Sequence, residues 1–114
     1  MYKIEFSDKA YKDLDEISDY ISDELLNPVA AINLIDELET TIKKRLELFP
    51  YSYPVHTFIE VLGIEYRRTV IKNMTAFYKI SEIKKEEKKD IEGIVTITHV
   101  VNSNRDVEKI VISD

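Results

Sequence analysis

Two amphipathic stripes of helical period, separated by a single Asn27-Pro28 step, constrain this 114-residue chain more than any other feature. The first stripe runs Ala10, Leu14, Ile17, Ile21, Leu25, and the second runs Ala31, Ile35, Leu38, Ile42, Leu46, Phe49. Steps of three and four residues place each set on one helical face. Asp13, Asp15, Glu16, Asp19 and Asp23 fill much of the remaining surface of the first helix. Ser7 offers an N-cap with Asp8 in the first turn, where negative charge suits the helix dipole. Asn27 can cap the second helix and Pro28 suits its first position, while Pro50 ends it. Two helices joined this tightly pack as an antiparallel hairpin, and their apolar stripes then need a second layer.

The rest of the chain supplies that layer. Tyr2, Ile4 and Phe6 alternate with Lys3 and Glu5, the period-two pattern of a short strand with one buried face. After the helices, residues 51–57 read as an aromatic loop, and an apolar run from Phe58 to Leu62 closes at Gly63. β-Branched and aromatic residues then predict strands near 65–71, 75–82 and 93–101, with Lys72-Asn73 as the turn between the first two. The charged run from Glu82 to Glu92 reads as a solvated hairpin tip ending near Gly93, and residues 107–112 as a short strand or a helical turn. The order is β-α-α-β-β-β. It predicts a single α+β domain over 1–114, with the leading strand and the helical hairpin packed in two layers on a mainly antiparallel four-stranded sheet.

Composition narrows the chemistry. The chain has no cysteine, which removes disulfides, thiolate catalysis and cysteine zinc sites. Its two histidines, His56 and His99, have no ligand spacing, and its two glycines make no phosphate loop, so neither a metal nor a cofactor is expected. The N-terminus is not a signal peptide, and no apolar run approaches the ~20 residues of a membrane span, so a cytoplasmic protein without a membrane partner is expected. The net charge of −6 is unevenly spread: residues 1–50 carry 6 Lys/Arg against 12 Asp/Glu, whereas residues 51–80 carry 4 against 2. The acid belongs to the helices, and the one basic stretch lies in the centre of the chain.

Several pieces occur together in order: Ala10-x-x-x-Leu14-x-x-Ile17-x-x-Tyr20-Ile21, then Asn27-Pro28-x-Ala30-Ala31, then Leu46-x-x-Phe49-Pro50. Tyr66-Arg67-Arg68-Thr69-Val70-Ile71-Lys72-Asn73 leads into Phe77-Tyr78-Lys79-Ile80, and the chain closes with Val95 to Val101 and Arg105-Asp106. This ordered set resembles the RelE/ParE superfamily, the toxin half of type II toxin–antitoxin modules. The resemblance covers nearly the whole chain. It implies a helical hairpin on a twisted antiparallel sheet and a cognate antitoxin as partner. It also implies one of two activities: ribosome-dependent mRNA cleavage, as in RelE-like members, or inhibition of DNA gyrase, as in ParE-like members.

RNA cleavage needs a base for the 2′-hydroxyl, cations for the phosphorane and an acid for the leaving oxygen. On that reading Arg67, Arg68 and Arg105 are the catalytic candidates. Arg67 and Arg68 are neighbours on a strand, so they point to opposite faces and at most one lines a given site. Tyr78 is expected in the core, His99 among sheet side chains with Val95, Ile97 and Val101 on its own face, and Lys72 exposed in its turn. Phe58, Ile59 and Lys72, with the apolar surface of the helical hairpin, are expected to meet the antitoxin or the target. Two departures from the RelE-like pattern count against cleavage. Met74-Thr75-Ala76-Phe77-Tyr78 contains no basic residue, and Val101-Asn102-Ser103-Asn104 ends the last strand with groups that cannot transfer protons near neutral pH. The balance favours a ParE-like gyrase inhibitor. A RelE-like endoribonuclease, a degenerate toxin and a non-catalytic interaction domain are the alternatives.

Overall fold

The computed structural model describes residues 1–55, 65–83 and 91–103. Phe58, Ile59, Arg105, His56, residues 84–90 of the charged hairpin tip and the 107–112 segment lie outside the described residues. Strand β1 (Tyr2–Phe6) leads into helix α1 (Asp8–Asp19), which continues as one wider π turn (Tyr20–Glu24). Helix α2 (Pro28–Leu46) follows, then a 3₁₀ turn (Pro50–Ser52) and strands β2 (Arg67–Ile71), β3 (Met74–Glu82) and β4 (Gly93–Asn102). The expected caps form: Ser7 Oγ accepts from the Ala10 amide at 3.0 Å and Asn27 Oδ1 from the Ala30 amide at 3.1 Å.

The four strands make one sheet in the order β1-β4-β3-β2. β2, β3 and β4 form an antiparallel meander, and β1 joins its far edge parallel to β4, with Tyr2 opposite Gly93 and Phe6 opposite Ile97. At Gly93 a side chain would stand 2.4 Å from the Ser81 carbonyl and 3.0 Å from the Tyr2 ring, so only glycine fits where these strands close. Both helices cover one face. The core joins Ala10, Leu14, Leu38, Ile42 and Leu46 of the helices to Tyr2, Ile71, Ala76, Tyr78, Val95, Ile97 and Val100 of the sheet. Tyr78 is fully buried, as expected, and its hydroxyl donates to the Pro50 carbonyl at 2.6 Å.

A bulge re-aims the end of β4. Phe77 pairs with His99 but Tyr78 pairs with Ile97, which leaves Thr98 as the extra residue. The side-chain alternation therefore shifts at Thr98. Val95, Ile97 and Val100 face the helices, whereas His99 and Val101 face away from them. The expectation that His99 shares a face with Val95 and Ile97 is corrected by this one inserted residue.

The sheet edge next to the bulge explains a buried carboxylate. β1 ends at Phe6, yet β4 runs on for five residues past Ile97, leaving backbone groups without a neighbouring strand. Helix α1 supplies the missing partners. The Ser7 amide donates to Ile97 O at 2.9 Å, the Ser7 hydroxyl to Thr98 O at 3.1 Å, and the Val100 amide to Asp13 Oδ2 at 3.0 Å. Lys9 Nζ, one helical turn before, stands 2.7 Å from Asp13 Oδ1. Sequence placed Asp13 on the outer helix surface, but it is only 5% exposed. The other end of the first stripe also departs from expectation: Ile21 is half-buried, while Leu25 lies beyond the π turn and is exposed.

Candidate interaction face

The face of the sheet turned away from α1 and α2 holds the candidate functional residues. Arg68, Phe77 and His99 form one row across β2, β3 and β4, and Val70, Thr75 and Val101 form the next. Arg68 and Val70 are exposed at the β2 edge, while Phe77, Thr75, His99 and Val101 are buried. The edge is partly closed by the preceding segment: Val55 bridges Arg67, and the Arg68 amide donates to Pro54 O at 3.2 Å. A cleft of about 380 Å³ opens there, lined by Tyr53, Pro54, Arg68, Val70, Thr75 and Ser103. Thr75 Oγ1 and Ser103 Oγ are 2.7 Å apart in its wall.

The two arginines part company as their adjacency predicts. Arg67 turns to the helix side and ties down the 3₁₀ segment. Its guanidinium donates to Tyr53 O at 2.7 Å and Tyr51 O at 3.3 Å, pairs with Glu65 at 3.0 Å and lies 5.1 Å from the Tyr51 ring centre. Only 17% of its side chain is exposed. Arg68 projects into solvent on the opposite face. Lys79 shares that face, half-buried and opposite Thr96. Lys72 sits exposed in the β2–β3 turn, with φ at 55° and its ammonium 2.8 Å from Glu37 of α2. The structure thus brings Arg68, Phe77 and His99 together and sends Arg67 and Tyr78 elsewhere.

Among the described residues, this face offers groups for binding and few for proton transfer. His99 is 5% exposed, out of reach of a phosphodiester in solvent. The hydroxyls of Thr75, Thr98 and Ser103 do not ionise near neutral pH. Tyr2 and Tyr51, at the other end of the sheet, both donate to Glu82 Oε1. Burial is the main cause that raises the Tyr2 phenol and the Glu82 hydrogen bond the main cause for Tyr51, so both stay protonated donors. Desolvation raises Tyr78 in the same way. Among the described residues no three His, Asp or Glu side chains stand close enough to hold a metal ion, and no helix is long and apolar enough to cross a membrane.

A helical hairpin on one face of a β1-β4-β3-β2 sheet is the arrangement that the resemblance to the RelE/ParE superfamily implies. Residues 4–102 match the model of one family within that superfamily, described as "ParE toxin of type II toxin-antitoxin system, parDE", and the chain belongs to this family. A cognate antitoxin is the partner that membership supplies. The fold is also that of a solved chain from "Chromosomal ParDE TA system from P. aeruginosa", with a TM-score of 0.64 and 18% identity over 90% of this chain and 96% of that one. No curated protein matches the sequence.

Proposed function

We propose that this ParE-family toxin arrests growth by inhibiting DNA gyrase through protein contact, without cutting RNA, and that its antitoxin holds it off in the cytoplasm. The observation that carries this reading is the placement of Arg67. Its guanidinium is engaged with Tyr51 O, Tyr53 O and Glu65 on the helix side, leaving Arg68 without its neighbour on the other face. A cation alone can hold a phosphate, but cleavage also needs a base and an acid in reach. Phe58, Ile59 and Lys72 are the proposed contacts for antitoxin or target. Arg67, Arg68 and Arg105 would be the catalytic set only if RNA were the substrate.

The test is pulse labelling of bacterial cells just after induction of the chain alone, following DNA and protein synthesis separately. A fall in DNA synthesis while translation continues supports gyrase inhibition. An immediate collapse of amino-acid incorporation overturns it in favour of a ribosome-dependent endoribonuclease.

A further inference from the structure

The tip of the helical hairpin lies toward the β2–β3 turn end of the sheet. Glu37, half-way along α2, already reaches Lys72 at the end of the β2–β3 hairpin. The start of the π turn lines a cleft with Met74, Val101 and Asn102 at that same end of the sheet, and the joint between the helices follows it. The joint and the first turns of α2 expose apolar side chains: Leu25 is 58% exposed, Leu26 84%, Val29 66% and Ile32 61%. Val29 and Ile32 share one helical face, and Leu25 and Leu26 directly precede the helix cap. Their summed exposed area is on the order of 500 Å², comparable to the largest apolar patch of a typical monomer, which is often functional.

Position 26 combines an unusual backbone with an exposed apolar side chain. Leu26 adopts φ of 51°, a left-handed conformation that glycine or asparagine accepts and a leucine resists. The left-handed turn lets the Asn27 amide donate to Ile21 O at 3.3 Å and so closes the first helix, but that closure does not call for an exposed leucine side chain. The π turn at Tyr20–Glu24, immediately before it, is a second departure from regular helix of a kind frequent at functional sites.

Charge indicates what covers the tip. Residues 13–42 contain nine Asp/Glu and no Lys or Arg. Asp19, Asp23 and Glu24, all exposed, lie in the same turns as the apolar residues. A second copy of this chain, or an anionic lipid surface, would bring like charge against them. A protein that grips DNA must present lysines and arginines to the phosphates. We infer that the hairpin tip docks on a basic, apolar-pocketed surface of the gyrase target, with Leu25, Leu26, Val29 and Ile32 as anchors and the carboxylates as steering charge. This rests on the reading of the chain as a gyrase inhibitor.

The test uses purified full-length toxin in a gyrase supercoiling assay, with antitoxin affinity measured alongside. Leu26→Asn suits the left-handed backbone, so it removes the anchor while keeping or raising the melting temperature. Val29→Ser/Ile32→Ser is the second variant. The expected result is that wild-type toxin inhibits supercoiling and both variants inhibit at least tenfold more weakly, with antitoxin Kd within threefold of wild type. Inhibition equal to wild type overturns the docking site. Loss of antitoxin binding, with or without inhibition, also overturns it, because the patch then serves the antitoxin. If wild-type toxin leaves supercoiling untouched, the gyrase reading itself falls and takes this inference with it, an outcome distinct from active wild type with indifferent variants.

Discussion

Removing the Asp13 carboxylate tests whether α1 finishes the sheet. Asp13 Oδ2 accepts from the Val100 amide at 3.0 Å in a site where both residues are buried. Asp13→Ala leaves that amide without its acceptor and empties the space of the carboxylate. A hydrogen bond to a charged group contributes about 1.5–3 kcal/mol, and orphaning the buried partner costs toward the upper end of that range. Lys9, 39% exposed, returns to solvent at little cost, so its loss adds little. The expected destabilisation is about 2–3 kcal/mol, which for a domain of this size lowers Tm by roughly 10 °C. Asp13→Asn keeps an acceptor oxygen but not the charge, and is expected to lose about half as much. Asp15→Ala, two residues on and exposed, is the control and should change stability by less than about 0.5 kcal/mol. Urea unfolding followed by circular dichroism gives the stabilities, and amide hydrogen exchange at Val100 gives the local effect. The reasoning is refuted if Asp13→Ala unfolds at the same urea concentration as Asp15→Ala with the Val100 amide still protected.

Three further outcomes follow from the geometry. Lys72→Gly relieves a left-handed backbone at the cost of one exposed ion pair to Glu37, so the variant should melt higher by a few degrees, on the order of 1 kcal/mol; a lower Tm would show that the Glu37 pair outweighs the strain. Arg67→Ala should lose about 2 kcal/mol of stability through its bonds to Tyr51 O and Tyr53 O, whereas Arg68→Ala should keep stability and lose growth inhibition, with His99→Gln weakening inhibition less than either; plate toxicity beside thermal melts separates the three. Tyr78 is raised above its ordinary 10.0 by burial, so above pH 10 the unfolded chain releases this proton while the folded one holds it. Stability contributed by the neutral phenol is thus full below pH 10 and declines above it, by about 1.4 kcal/mol per pH unit for one proton. Urea titrations from pH 9 to 11.5 should show that decline and a shallower one in Tyr78→Phe; identical slopes would reject the assignment.

Local chemistry made most of the architecture legible. Periodicity of three and four fixed the helices, alternation fixed β1, and Ser7, Asn27 and Pro28 marked the helix starts, because each signal depends on residues within one turn of each other. The opposite facing of Arg67 and Arg68 followed from adjacency on a strand alone. Contacts between distant residues were not legible. The Thr98 bulge, which turns His99 away from Val95 and Ile97, depends on how β4 meets β3 and leaves no local signature. Asp13 reads as one more carboxylate in an acidic helix, and becomes structural only because Val100, 87 residues away, lacks a neighbouring strand. Leu25 completes the first apolar stripe in sequence, yet it stands in solvent past the π turn, which shifts the helical period just before it. By itself the sequence determined which elements form and in what order, since helix and strand preferences are local. Only the tertiary structure decided which side chains share a face and which backbone groups need a partner, since those depend on where strands of unequal length end.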